Sequence, residues 1–142
     1  MSEIIQLPYL EPWDWQQFHR HFALRLLPGV ERLDVDGYAR TRRLGEACGW
    51  LRVRAQADRS ALELTFSDSL QQATQPLVGQ VRRMFDLDAD PQAIATHFAS
   101  DPALGPFIAA NPGLRLPAAS DPFEQAVRAV VGQQVTVKAA VT

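Results

Sequence analysis

Apolar residues recur along this chain with two periods, and the change from one to the other organises it. In "PWDWQQFHRHFALRLLPG", Trp15, Phe18, Phe22, Leu26 and Leu27 fall at roughly helical spacing, with Asp14 as cap and Pro28-Gly29 as stop, which predicts a helix over 14–27. Three segments then alternate: "LDVDGYARTRRL" near 33–44, "GWLRVRAQA" at 49–57 and "ALELTFSD" at 61–68. Each is predicted to be a strand. Leu51, Val53 and Ala55 share one face, as do Leu62, Leu64 and Phe66 in the next strand, while Arg52, Arg54 and Glu63 take the other. A turn around Ala57-Asp58-Arg59-Ser60 pairs the two as a hairpin with one covered and one wet face.

The cover is predicted to be the first helix and the next one, "SLQQATQPLVGQVRRMFDL". There Leu70, Ala73, Leu77, Val78, Val81, Met84 and Phe85 form a stripe, and Pro76 either kinks the helix or marks its true start. From Asp88 onward no strand pattern appears, and two short segments each open with Asp-Pro. Asp121, Pro122 and Glu124 start another helix as cap, first residue and capping-box partner, and Phe123, Ala126, Val127, Val130 and Val131 make its apolar stripe, expected to bury against a neighbour. After Gly132-Gln133-Gln134 the apolar letters resume to Thr142 without a stop signal, so the chain reads as cut within a helix. The pattern thus predicts an α+β fold in two parts, a unit over 1–88 with an antiparallel sheet and two helices, then the start of an all-helical unit over 89–142.

Composition changes this little. With 142 residues, 46% hydrophobic and 21% charged, the chain has the make-up of a soluble globular protein. Its longest apolar runs fall short of the ~20 residues of a membrane span, and its N-terminus lacks a leader's basic start and apolar core, so a cytoplasmic protein without membrane contact is expected. Cys48 is the single cysteine, which excludes an internal disulfide and a cysteine-based zinc site. The net charge of −2 argues against a whole-surface grip on nucleic acid, and Lys138 is the one lysine among 14 basic residues.

Candidate chemistry is sparse. No phosphate loop, dinucleotide turn, nucleophile elbow or zinc-binding histidine pair is present, and His19 and His21 project from different sides of their helix. The carboxylates Asp14, Asp90, Asp101 and Asp121 sit where helix caps belong. Arg40 and Arg42, with Arg52 and Arg54 on the next strand, are expected to line the exposed sheet face as a stripe that either contacts phosphates or pairs with Glu63 and solvates the face. Gly132, Gln133 and Gln134 form either a polar interhelix loop or a tip whose long amides reach a ligand.

The run "NPGLRLPAASDPFEQAVRAVVGQQVTVKAA", Asn111 to Ala140, together with "VRRMFDLDADP", "DGYARTRRL", "LPGVERL" and "PWDW", resembles the AlkA-type 3-methyladenine DNA glycosylases in order and spacing over nearly the whole chain. The resemblance implies an N-terminal unit similar to half of the TATA-binding protein and an enzyme of base excision repair acting on double-stranded DNA with alkylated bases. Such enzymes flip the damaged nucleotide and hydrolyse its N-glycosidic bond without metal or other cofactor. The resemblance places the DNA wedge at Gly132, Gln133 and Gln134, with glutamine where many members carry leucine at the last of these. It places the base-stacking aromatic position at His21 with Phe22 beside it; Phe18 is the third pocket candidate, and Phe18 and Phe22 are also core candidates by helical spacing. The family's hairpin and catalytic aspartate are expected later than Thr142, so the chain by itself is expected to be inactive. The alternative is a non-catalytic module that binds DNA or protein through the arginine stripe. Exposed valines of the C-terminal helix are expected to favour a dimer or fraying.

Overall fold

Alternation in the sequence becomes a single antiparallel sheet in the computed structural model, which describes residues 4–141; Met1 to Glu3 and Thr142 lie outside the described residues. Five strands, β1 (Ile4–Pro8), β2 (Glu31–Leu33), β3 (Gly37–Leu44), β4 (Ala47–Gln56) and β5 (Ala61–Phe66), are ordered β1-β5-β4-β3-β2. The β4–β5 register pairs Val53 with Leu64, Ala55 with Leu62 and Arg54 with Glu63, so the apolar and charged positions separate onto the two faces as the alternation requires. Residues 57–60 close the hairpin as predicted, with Ser60 left-handed at φ 47°.

Two sequence expectations for the sheet need correction. β1 was not legible, because "IIQLP" is too short to alternate clearly; it becomes a strand by pairing along β5, Leu7 opposite Leu62. The stretch 33–44 is not one strand. Asp34, Val35 and Asp36 form a turn, closed by the Asp34 amide donating to the Gly37 carbonyl at 2.8 Å, and the chain folds back as β2 and β3. Gly37 is required there, since a Cβ would stand 2.9 Å from the Val53 carbonyl oxygen.

Helices α1 (Trp15–Ala23) and α2 (Thr74–Met84) supply the cover. Asp14 caps α1 by accepting from the Gln16 amide at 2.8 Å. The helix stops at Ala23, short of residue 27, because Glu31 accepts from the Leu27 amide and draws residues 24–30 into a turn leading to β2. Pro76 falls in the first turn of α2 and so marks a start; a 3-10 segment, Asp68–Ala73, precedes it. Phe18, Leu70, Leu77, Val81, Met84 and Phe85 pack with Leu51, Val53, Leu62, Leu64 and Phe66 in one core. Among the described residues four further helices follow, α3 (Pro91–Phe98), α4 (Leu104–Ala110), α5 (Pro122–Val131) and the short α6 (Val137–Ala140).

Candidate functional site

The sequence pointed to three places, of which only His21, Phe22 and Arg40 come together, around one cavity that Glu124 of α5 also lines. Asp121 caps this helix by accepting from the Glu124 amide at 3.0 Å, and Pro122 is its first residue. The predicted capping box does not form. The Glu124 carboxylate turns instead toward Arg40, at 2.5 Å, and Arg128, at 2.7 Å, because two guanidinium partners outbid one exposed amide. The apolar stripe of α5 is uncovered: Phe123 is 79% exposed, and Val127, Val130 and Val131 are also exposed.

At the far end of α5, the Gly132 amide donates to Arg128 and Val130 carbonyls, and a Cβ at this position would lie 2.9 Å from the Arg128 oxygen. Gln133 and Gln134 follow as an exposed turn, Gln134 held left-handed at φ 58° before Thr136 caps α6. A non-glycine residue in that conformation costs on the order of 1 kcal/mol. The turn therefore presents a long amide side chain to solvent from a left-handed backbone position. Beside it lies a cavity of about 180 Å³ lined by Arg25, Leu27, Arg128, Val135 and Val141 among others.

The three pocket candidates on α1 do not behave alike. Phe18 is fully buried, with ring centroids 4.9 Å from Trp13 and 5.3 Å from Phe85, so it belongs to the core and cannot face a ligand. Phe22 stacks on Tyr38 at 4.4 Å. His21 stands edge-on to Phe22 at 5.5 Å, and burial followed by the charge of Arg25 holds its pKa below the usual histidine range, so the ring is neutral at pH 7. His21 and Phe22 border a cavity of about 50 Å³ with Tyr38, Ser120 and Glu124, room for roughly one or two waters and not for a purine.

The arginine stripe is a correction. Tyr38, Arg40 and Arg42 have the same parity on β3, and register pairs Tyr38 with Val53 and Arg40 with Leu51, so both arginines lie on the covered face, opposite to Arg52 and Arg54. Arg40 is 5% exposed; it contacts Glu31 at 3.5 Å and Glu124 at 2.5 Å. Arg42 pairs with Asp121 at 3.1 Å and donates to Gln80. On the wet face Arg52 pairs with Asp34 and Arg54 with Asp36, so these two are also engaged. The four arginines thus form two separated pairs, each neutralised by carboxylates.

Residues unnoticed in the sequence proved to organise the site. Glu31 receives the Tyr38 hydroxyl at 2.6 Å, the Leu27 amide and Arg128 at 3.1 Å. Arg115, 2% exposed, donates to the carbonyls of Leu10, Pro12, Asp86 and Ala89, tying the start of the chain, the end of α2 and the approach to α5 together. The signals were the shared parity of Tyr38 and Arg40 and the i,i+4 spacing of Glu124 and Arg128. For Arg115 no local signal existed. Among the described residues no group of three His, Cys, Asp or Glu is placed to hold a metal, and no helix is long and apolar enough to cross a membrane.

Comparison with known proteins adds the context. A probable bifunctional transcriptional activator/DNA repair enzyme AlkA of Mycobacterium tuberculosis is 36% identical over 140 residues, covering 97% of this chain and 27% of the relative. DNA-3-methyladenine glycosylase 2 of Escherichia coli is 35% identical over 131 residues, 92% of this chain and 44% of the relative. A solved 3-methyladenine DNA-glycosylase from Archaeoglobus fulgidus superposes with a TM-score of 0.75 at 15% identity over 98% of this chain and 47% of that one, a likeness of fold. The chain thus spans less than half the length of the relatives it matches. With the sheet, the two covering helices and the linker that Arg115 anchors all inside residues 4–121, where the AlkA N-terminal domain family model matches, the chain belongs to the AlkA N-terminal domain family.

Proposed function

We propose that this chain forms the N-terminal part of a DNA-repair glycosylase that excises alkylated bases of the 3-methyladenine type from double-stranded DNA by base flipping and N-glycosidic hydrolysis. The observation that supports the reading is the α5 end: an exposed Gly132-Gln133-Gln134 turn, with Gln134 left-handed, at the tip of a helix ion-paired to the α+β unit. Flipping a base costs roughly a few kcal/mol, and a side chain that enters the vacated stack recovers part of it. Gln134 is the residue we assign to that gap, hydrogen-bonding the orphaned partner base through its amide. A neutral His21 suits a cationic alkylpurine, which a protonated imidazole would repel. The present 50 Å³ cavity must open before His21 and Phe22 can meet a base.

In this reading residues 1–88 are the scaffold and 89–142 open the helical part of a soluble, cytoplasmic enzyme, with no cofactor involved. The reading gives no catalytic role to Asp36, Asp101, Asp121 and Glu124, whose pKa values are pulled down by hydrogen-bonded or charged neighbours. The binding-module alternative loses its support with the stripe, since all four arginines are paired. Self-association through the C-terminal helix, where Val135 and Val137 are exposed, belongs to the same proposal, and light scattering that stays monomeric up to high concentration would remove it.

The test is release of methylated bases from alkylated duplex DNA by this chain alone and by the chain joined to the remaining sequence of the Escherichia coli relative. The chain alone should release none and the joined form should release 3-methyladenine. A joined form that is folded by circular dichroism and inactive refutes the proposal.

A further inference from the structure

Helix α5 touches the α+β unit in an unusual way. Of its ten residues, Glu124 and Arg128 are the two that are not exposed, so the helix is attached by its charged edge while its apolar stripe faces outward. On the other side stand Glu31 of β2 and Arg40 of β3, whose side chains are almost fully buried. The four alternate in charge around a closed ring: Arg40 to Glu31 3.5 Å, Glu31 to Arg128 3.1 Å, Arg128 to Glu124 2.7 Å and Glu124 to Arg40 2.5 Å. Arg128 also donates to the Arg25 carbonyl at 2.8 Å and Tyr38 to Glu31, while Arg42 meets Asp121 at the start of the helix. Every charge in the ring has two opposite neighbours, the condition under which burying charges is tolerated.

We infer that Glu31 and Arg40 are positioning residues: through the ring they fix the rotation and axial position of α5, and hence where the Gly132–Gln134 turn is presented. Hydrophobic contact is non-directional and allows a helix to slide or roll; guanidinium–carboxylate contacts have a set geometry and do not. Arg128 lies one helical turn before Gly132, so freedom at the ring passes directly to the turn. What the turn does when positioned rests on the glycosylase reading above; that the ring positions it does not.

Amide hydrogen exchange on the full chain tests this, comparing the parent with Arg40→Met, Arg40→Lys and Glu124→Gln. In Arg40→Met, amides of residues 125–134 should exchange about tenfold faster or more while β4 and β5 keep their protection, and Arg40→Lys should recover part of the loss. Unchanged protection of α5 overturns the inference. So does an equal loss across sheet and helix, which would make Arg40 a folding residue only; Glu124→Gln, which alters the ring from the exposed side and spares the sheet, guards against that outcome arising from Arg40 alone. In the joined form described above, Arg40→Met should lower kcat for base release about tenfold with KM within about threefold, Lys again restoring part. If the parent joined form releases no base, the glycosylase reading fails while the exchange result still decides the role of the ring.

Discussion

Replacing Arg115 should damage this fold more than replacing any residue of the ring, although Arg115 has no ion-pair partner within 4 Å among the described residues. Its guanidinium donates to four backbone carbonyls, those of Leu10, Pro12, Asp86 and Ala89, while its own amide donates to the Gln17 side chain at 2.9 Å and the neighbouring Leu116 amide to Asp86 at 3.0 Å. Burial pulls its pKa below the usual arginine range, and Asp86, Tyr9 and Asp90 pull it partly back. In Arg115→Ala four carbonyls lose their donor, each worth about 1–3 kcal/mol when left unsatisfied, and the alkyl stem leaves a void. Recovering the hydration of the cation and admitting water offset part of this, leaving a net loss of about 3–5 kcal/mol. With a urea slope of about 1.5–2 kcal/mol/M, the midpoint should fall by roughly 2 M or more. Arg115→Lys should rescue little, because a single ammonium cannot span carbonyls from two separate loops. A midpoint shift in Arg115→Ala equivalent to less than about 1 kcal/mol would refute the account of a keystone cation.

Three other outcomes follow from the structure. Gly49→Ala should cost more than about 2 kcal/mol in thermal unfolding, since the new Cβ would lie 2.0 Å from the Ser67 oxygen and 2.9 Å from the Leu70 side chain. Gln134→Gly should be neutral or stabilising by up to about 1 kcal/mol, because glycine removes the left-handed strain at φ 58°, whereas Gln134→Val should destabilise; reversed signs would show that the turn is not held as described. Acid should release α5 before the sheet melts. Burial raises the Glu124 pKa, but hydrogen bonds from Arg40 and Arg128 outweigh it and the net shift is downward; Asp121 is lowered by the Glu124 amide and by Arg42. Groups depressed on folding stabilise above their unfolded values and lose that contribution as the pH falls, so protection of α5 should fade below about pH 4.5, a window visible by hydrogen exchange and absent if the ring is not ionised.

The periodicity carried most of the architecture. Alternation over 49–57 and 61–68 is enough to set which faces are wet, since the side-chain period of a strand is two, and the Asp90-Pro91 and Asp121-Pro122 starts were legible because a cap acts on amides only three residues away, whereas α4 starts at Leu104, past Asp101-Pro102. Where a decision depended on a distant partner, local pattern misled or was silent. Asp34 to Asp36 looked like part of a strand until β2 folded onto β3, and "IIQLP" became β1 only beside β5. Spacing makes Phe18 a core candidate and the resemblance leaves it a pocket candidate as well; the Trp13 and Phe85 rings around it decide for the core.

By itself, then, the sequence determined the α+β class, the capped starts of α1, α3 and α5, the polar and apolar faces of the central hairpin and the resemblance that led to the family. Tertiary structure alone decided what the charges do. Arg40 and Arg42 look like an exposed stripe with Arg52 and Arg54 because alternation counts parity within a strand and says nothing of registry between strands; once Tyr38 is set against Val53, both must point inward and find carboxylates there. Glu31, Glu124, Arg128 and Arg115 acquire their roles from partners up to 105 residues away in the chain, a separation no local rule spans. Local interactions are written in neighbouring letters, but the burial of a charge is specified jointly by every segment that surrounds it.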